Sequence, residues 1–412
     1  MEQSVEKQME RIRRGTADIV PEDELSERIE ESIKNDEPLR VKLGLDPTAP
    51  DIHVGNALPL HKMRMFQELG HHAVFIVGDF TATIGDPSGQ NKMRPQLSPE
   101  EVMENASTYL DQVGNIVDMD EAEMIRNSQW FGEMKVEEIL SLAARITVSQ
   151  CIEREDFSKR LNRDQPVGLH ELFYPLLQAY DSVMVESDIE LGGTDQIFNI
   201  LMGRELQRQM DQRPQIAVTN PLLEGLDGSE KMSKSKGNYI GILDEPADMF
   251  GKAMSVPDRL MEKYLILATD LPMNRIEELT SENTHPRDAK AELARAMVAR
   301  YHGDEAAEDA AREFDRVFRE KKIPEENIDE ATVPDEILQD GNRASPLDLL
   351  TEVTGYCDSR SQARRLVKQG GVSLGMDPDS FAKLESATDD VELQDGIILK
   401  KGKRHFCRLH LP

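Results

Sequence analysis

Residues 40–78 constrain the fold more than any other stretch of this chain. Arg40-Val41-Lys42-Leu43-Gly44-Leu45 alternates polar and apolar side chains, as a strand does. The turn Asp46-Pro47-Thr48-Ala49-Pro50 follows. His53-Val54-Gly55-Asn56 then opens a helical stretch to Glu68, stopped by Gly70. Ala73-Val74-Phe75-Ile76-Val77-Gly78 is a short apolar run, typical of a parallel strand buried on both faces. Strand, loop, helix and strand at this spacing predict a doubly wound, parallel-sheet α/β fold.

The remaining segments extend that pattern. Residues 1–38 read as an acidic helical lead-in, and 91–170 hold mostly helical periodicity, as an insertion into the sheet would. Val183 to Leu191 reads as another strand, after which Gly192-Gly193-Thr194-Asp195-Gln196 opens a helix to about Met210. Ile216 to Thr219 is the last strand of the sheet. Residues 246–322 are again helical, 323–345 are rich in Pro, Asp and Glu and read as a linker, and 346–412 form a small terminal module. A chain of 412 residues suits two or three domains.

The net charge of −29 is extreme. From Pro346 to Pro412 there are ten Lys/Arg and ten Asp/Glu, so the whole deficit lies in the first 345 residues. That balance suits a cytosol of high salt. The charged N-terminus does not read as a secretory signal, and no apolar run approaches the length of a membrane span. A cytoplasmic protein with neither membrane nor DNA as a partner is the expectation. Cys151, Cys357 and Cys407 are widely spaced and form no zinc pattern, so no metal site is expected.

Three constellations carry chemistry. Lys231-Met232-Ser233-Lys234-Ser235 follows a turn-rich approach, Leu226 to Glu230. Two lysines three apart, among Ser and Gly, suit a loop that grips a polyphosphate and lets go. His53 to Asn56 lies where a helix begins, a place that gathers free backbone N–H groups and the positive dipole end. Gly55 lets a bulky group approach the backbone. Tyr174, Gln178 and Asp181 stand at i, i+4 and i+7, a polar stripe on one helix face among Pro175, Leu176 and Leu177.

Together these residues resemble class I aminoacyl-tRNA synthetases, with HVGN in place of the HIGH signature and KMSKS as the second signature. Leu45 to Asn56, Ile84 to Gly89, Tyr174 to Asp181 and Gly192 to Gln196 are similar to segments of bacterial tyrosyl-tRNA synthetases. The resemblance spans the catalytic half. It implies that L-tyrosine and ATP, with Mg2+ and no prosthetic group, give an adenylate, and that tyrosine then passes to the 3′ end of tRNA(Tyr). It implies Thr48, His53, Lys231 and Lys234 as catalytic groups. Gly44, Asp46, Gly55, Asn56, Gly192, Gly193, Asp195 and Lys234 would bind ATP. Lys42, Asp86, Tyr174, Gln178, Asp181 and Gln196 would bind tyrosine, with Asp181 accepting from the phenol hydroxyl and Asp86 holding the ammonium. Lys42 either pairs with an acidic group in the pocket or donates to the phenol oxygen.

Ser359 to Gly375 resembles the small RNA-binding domain that such enzymes share with a ribosomal protein. Arg360, Arg364, Arg365 and Lys368 on its helix would meet tRNA phosphates. Lys400-Lys401-Gly402-Lys403-Arg404 forms a second basic patch. The resemblance further implies a homodimer formed through the insertion. The expected organisation is a Rossmann-like catalytic domain over 1–245 with its insertion at about 91–170, a helical domain over 246–322, an acidic linker over 323–345, and an α+β RNA-binding module over 346–412. A tryptophanyl enzyme shares the fold, and a non-catalytic synthetase-like RNA-binding protein is a further alternative. The polar stripe, Asp181 and the terminal module favour tyrosine, and the retained His53, Lys231, Lys234 and Asp195 favour catalysis.

Overall fold

The structure, a computed structural model, describes residues 4–46, 51–87, 99–318, 328–339, 342–357, 359–376, 380–384, 386–402 and 405–412. Thr48, Ser88, Gly89, Lys403 and Arg404 lie outside the described residues. The chain divides into two compact units, 1–307 and 308–412.

The first unit opens with helix α1 (Val5–Arg13), strand β1 (Asp18–Val20) and α2 (Glu22–Asn35). Strand β2 (Arg40–Leu45), α3 (Val54–Glu68) and β3 (His72–Val77) follow at the positions the alternation predicts. Then come α4 (Pro99–Val113), β4 (Ala122–Arg126) and the short helices α5 (Ser128–Phe131), α6 (Val136–Ala143), α7 (Val148–Ile152) and α8 (Glu155–Leu161). The sheet resumes around α9 (Leu169–Met184), with β5 (Ile189–Gly193), α10 (Ile197–Gln209) and β6 (Ile216–Asn220). Four helices lie beyond it: α11 (Pro246–Met254), α12 (Met261–Ala268), α13 (Met273–Thr280) and α14 (Pro286–His302). Helix α15 (Asp304–Phe318) comes next in the chain.

The six strands run in the order β1-β6-β5-β2-β3-β4. All neighbours are parallel except β1, which adds antiparallel to β6. Side chains alternate across the sheet as the pleat demands. Val41, Leu43 and Leu45 of β2 join Ala73 and Phe75 of β3 and Ile189 and Leu191 of β5 in one core, with Ala57, Leu60, Met63 and Phe66 of α3. Beyond that core, Leu176, Ala179 and Val183 of α9 pack with Met202 and Leu206 of α10. From β2 the chain moves to β3 and β4 on one side and returns to β5 and β6 on the other. The carboxyl ends of β2 and β5 therefore flank a topological switch point, where open α/β sheets leave a crevice.

The second unit holds a five-stranded sheet in the order β10-β9-β12-β13-β7. Its elements are β7 (Ile328–Thr332), β8 (Arg343–Ala344), the single turn α16 (Pro346–Asp348), α17 (Arg360–Lys368), β9 (Val372–Gly375), β10 (Ala382–Lys383), β11 (Val391–Glu392), β12 (Ile397–Lys401) and β13 (His405–His410). Ala363 and Val367 of α17 enter its core with Val333, Leu374 and Leu399.

Four sequence expectations need correction. Residues 1–38 hold a strand, β1, between their two helices. The insertion at 91–170 is not only helical, because β4 within it closes one edge of the sheet. The strand expected from Val183 begins only at Ile189, since α9 runs through Met184. The segment 323–345 is more than a linker: β7 pairs in parallel with β13 from Ile328↔Phe406 to Thr332↔His410, and Val333 is fully buried. Acidic composition hid a five-residue edge strand whose apolar contribution is two or three side chains.

A chain ending at Ser345 would therefore leave β7 without its partner. A glutamate-specific protease should cut it rapidly at Glu330 and Glu336, while full-length protein resists at Glu330. Equal resistance of the two chains would show that β7 holds its conformation without β13.

Candidate active site

A cavity of about 270 Å³ opens at the switch point. Its walls bring together Gly44, Asp46, His53, Gly55, Asn56, Asp86, Tyr174, Gln178, Asp181, Gly192, Gly193, Asp195, Gln196 and Lys231. Fourteen of the expected small-molecule site residues thus meet in one place. Two described ones, Lys42 and Lys234, do not line it, and Thr48 lies outside the described residues.

His53 caps α3, and its Nδ1 accepts from the backbone N–H of Asn56 at 3.2 Å. In the neutral ring that bond leaves the proton on Nε2, as a donor. Burial, followed by Lys231 and Lys234, pushes the imidazole down to about 4. His53 is therefore a neutral donor at physiological pH. A Cβ at Gly55 would come within 3.2 Å of that ring, so glycine keeps the imidazole in place. A Cβ at Gly78, after β3, would collide with Asp46 Oδ1.

At the other end, Asp181 is buried and ends the polar stripe of α9. Its Oδ1 accepts from the Trp130 indole at 3.0 Å and its Oδ2 from Asn127 Nδ2 at 3.3 Å. Burial raises this carboxyl to about 7, against the opposing effects of the Lys42 charge and those two hydrogen bonds. Asn127 Nδ2 also reaches Thr81 Oγ1 at 3.1 Å, and Thr81 donates to Asp46 Oδ1 at 3.0 Å. Tyr174 donates its hydroxyl to Asp46 Oδ2 at 2.6 Å, and burial beside Asp46 holds its phenol well above the usual range.

A second network sits between. Gln196 Nε2 donates to Asp86 Oδ2 at 2.7 Å. Asn199 Nδ2 donates to Gln196 Oε1 at 2.9 Å and to Gln178 Oε1 at 3.0 Å. Arg154, buried, places Nη2 at 3.7 Å from Asp86 Oδ1. Lys42 lies below this layer. Its ammonium has no exposure and contacts Glu190 Oε1 at 3.0 Å, Ser182 Oγ at 2.7 Å and the Gln178 carbonyl at 3.1 Å. Of its two expected roles, Lys42 takes the ion pair. It is not a wall of the cavity.

The two KMSKS lysines, and Lys236 just after them, are held by carboxylates. Lys231 Nζ donates to Asp195 Oδ2 at 2.7 Å, Lys234 pairs with Asp51 and Lys236 with Glu230. In the second unit, Arg360, Arg364, Arg365 and Lys368 are exposed on α17, while Ala363 and Val367 face the core. Arg360 is paired with Asp348 at 2.5 Å.

Sequence reasoning missed Asn127, Trp130, Thr81, Arg154, Asn199, Glu190 and Asp51. Trp130, the only tryptophan, sits in the four-residue helix α5 after the edge strand, too short for any periodicity to betray a direction. Only a polar residue next to a sheet strand at Glu190, on the register of Lys42↔Glu190, offered a signal.

Residues 34–319 match the family model described as tRNA synthetases class I (W and Y). The chain is 50% identical to a tyrosine–tRNA ligase of Carboxydothermus hydrogenoformans over 98% of each chain. It is 46% identical to one of Moorella thermoacetica over 100% of this chain and 97% of that one. Among solved structures it is similar in fold to a tyrosyl-tRNA synthetase complexed with L-tyrosine from Archaeoglobus fulgidus. There the TM-score is 0.61 and the identity 22%, covering 75% of this chain and 100% of that one. A truncated mitochondrial tyrosyl-tRNA synthetase of Aspergillus nidulans gives a TM-score of 0.62 at 24% identity, over 77% of this chain and 95% of that one.

The raised Asp181 carboxyl has a pH consequence. With Asp181 as the acceptor of the tyrosine hydroxyl, the role that the sequence resemblance implies, binding favours the carboxylate, so tyrosine affinity should improve severalfold as pH rises from about 6 to about 8. The sign for stability is opposite. Between the unfolded carboxylate value and about 7 the folded state binds the extra proton, so this group lowers stability as pH rises through that window. Tyrosine titrations check the first and urea unfolding the second, each across pH on the protein and on Asp181→Asn. An inflection near neutrality that persists in Asp181→Asn would assign it to another group.

Proposed function

The chain belongs to the tyrosine–tRNA ligases of the class I aminoacyl-tRNA synthetases, and from that premise we propose how its residues divide the work of making tyrosyl-adenylate and charging tRNA. What carries the proposal is the single cavity whose wall includes Asp181, His53 and Lys231 together. Tyrosine lies with its phenol on Asp181 and its ammonium toward Asp86 and Gln178. Trp130 and Asn127 aim the Asp181 oxygens and leave them no freedom to turn. A site built around a hydroxyl strands its own polar groups when an analogue lacks one, and tyrosyl-tRNA synthetase is itself the standard example of that discrimination.

The tyrosine carboxylate then attacks the α-phosphorus of ATP. The bond from that phosphorus to the bridging oxygen breaks, and pyrophosphate leaves with the electron pair. His53 Nε2–H and the N-terminus of α3 meet charge developing on the phosphates. Lys231 and Lys234 exchange Asp195 and Asp51 for pyrophosphate oxygens, and Asp195 becomes free to accept from the ribose. Thr48 and Asn56 belong on the same phosphate side. In the second step a hydroxyl at the tRNA 3′ end attacks the tyrosyl carbonyl and AMP leaves. Mg2+ enters with ATP, as part of that substrate. Among the described residues no group of three His, Cys, Asp or Glu side chains is placed to hold a resident ion.

Arg364, Arg365 and Lys368 of α17 meet tRNA phosphates, supported by their exposure on one face of a charge-neutral module. Lys42 acts beneath tyrosine by positioning Gln178. The working location is the cytoplasm, where ATP and tRNA are both supplied. The chain pairs with a second copy through the segment after β4. Val136, Leu140, Val148 and Leu169 there are more than half exposed, an apolar face that a second copy would cover.

Two measurements test this. Lys234→Ala and His53→Ala should each slow single-turnover adenylate formation by about 10²–10³-fold, with tyrosine affinity changed little, because both groups act on charge in the transition state. Lost tyrosine binding with normal activation would reverse the assignment. Leu140→Glu with Leu169→Glu should shift sedimentation from dimer to monomer. An unchanged dimer would place the interface elsewhere.

A further inference from the structure

A second cavity, of about 610 Å³, shares no wall residue with the first. It lies in the first unit, between the end of α1, the C-terminal half of α3, the chain after α12 and the end of α14. Five cationic side chains line it, Arg11, Arg14, Lys62, Arg64 and Arg300, against two carboxylates, Glu68 and Asp270. Such an excess is the reverse of what a chain of net charge −29 would place in a concavity by chance.

The two carboxylates do not neutralise the cluster. Glu68 is shared by Arg11 at 2.5 Å and Arg64 at 3.2 Å, and Asp270 is held by Arg300 at 2.6 Å. Arg14 donates to the carbonyls of Leu271 at 2.7 Å and Thr269 at 3.2 Å. Lys62 is buried, and its ammonium meets the carbonyls of Ile12 at 2.9 Å and Arg14 at 2.6 Å. Among the described residues no carboxylate pairs with it. Burial, then Arg14 and Arg11, push Lys62 down to about 7, so the amine is only partly protonated near neutrality and an anion placed beside it would favour the charged form. His61, on the same wall, is buried and neutral, bonded to the Tyr301 hydroxyl at 2.9 Å.

An independent observation concerns Asn220, at the end of β6. Its Nδ2 donates to the Gly15 carbonyl at 3.1 Å, but its Oδ1 is buried with no hydrogen-bond partner. Asn220 lines the same cavity. A buried acceptor left empty is costly and calls for a donor.

We propose that this cavity binds a small phosphate-bearing anion that also carries a hydrogen-bond donor, a ligand of mononucleotide size. Lys62 and Arg14 meet the phosphate, Arg11 and Arg64 close over it from the mouth, and the Asn220 side chain turns to bring Oδ1, sealed from the cavity before binding, onto the ligand's donor. The volume lies within the range usual for small-molecule sites. A concave wall with a buried ammonium at its base suits a discrete ligand better than the backbone of an RNA strand.

Hydrogen exchange of the full chain, saturated with L-tyrosine and titrated with guanosine 5′-monophosphate, tests this. Exchange should slow in segments 11–15, 62–68 and 266–270. Lys62→Met should abolish that protection. Lys62 also ties two carbonyls, so exposed Arg11→Ala serves as the second variant and should weaken binding by roughly tenfold, as loss of one charge-assisted contact does. Inorganic phosphate should protect the same segments more weakly than the nucleotide. Protection confined to 51–56 and 229–237, or none, would overturn the site. Protection by tRNA but not by the nucleotide would overturn the small ligand, and equal binding of phosphate and nucleotide would overturn the role of Asn220.

Discussion

The α9 side of the cavity, proposed to hold tyrosine, depends on one buried ion pair, Lys42 with Glu190. Neither side chain reaches solvent. An unpaired ion at that depth would be intolerable, and removing one partner of such a pair costs about 3–5 kcal/mol. The pair is closed on every side. Lys42 spends its three protons on Glu190, Ser182 and the Gln178 carbonyl, and Glu190 accepts in addition from Gln178, Ser182 and Gln215. Ser182 and Gln178 belong to α9, while Lys42 and Glu190 are cross-strand neighbours on β2 and β5. The pair therefore sets the height and rotation of α9 over the sheet. With that rotation fixed, Tyr174, Gln178 and Asp181 face the crevice rather than solvent.

How much of this could be read in the sequence depended on the range of the interaction. The strand–helix–strand unit over 40–78 was legible because each part is local: alternation, a helix start, an apolar run. So was the stripe on α9, since helical spacing alone decides which side chains share a face. Lys42 resisted because its partner lies 148 residues away, and only strand register brings them together. Trp130 and Asn127 resisted for a related reason. They stand in and just before the short helix α5 that follows β4, an edge strand whose side chains are at most half-buried. Once that strand is missed, nothing directs that helix at the end of α9. The linker reading of 323–345 failed in the same way, on an acidic strand at the edge of a sheet.

Acidity reaches into the phosphate side as well. Lys231, Lys234 and Lys236 each rest on a carboxylate of this chain. These side chains are partly exposed, and ion pairs of that kind are worth little in water. Under the proposed roles of Lys231 and Lys234, their release for pyrophosphate is therefore cheap, and they wait in defined positions until ATP competes for them. Salt weakens the tethers and the attraction for ATP together, since both are screened over the same distances. An acidic surface and a lysine-based phosphate grip are thus compatible at high ionic strength.

The remaining charge-handling group differs in kind. His53 is driven to about 4 by burial and then by Lys231 and Lys234, so it stays uncharged beside the two lysines proposed to act with it. Its value lies in direction. Nδ1 is occupied by the Asn56 backbone, which fixes the ring and leaves Nε2–H as a donor set in place before ATP arrives. A fixed neutral donor needs no reorganisation as charge moves onto the leaving oxygens. The lysines supply charge that must first be withdrawn from Asp195 and Asp51. One end of α3 thus offers permanent orientation and the KMSKS loop offers exchangeable charge, and in the proposed reaction transition-state stabilisation draws on both only when the polyphosphate has displaced the carboxylates.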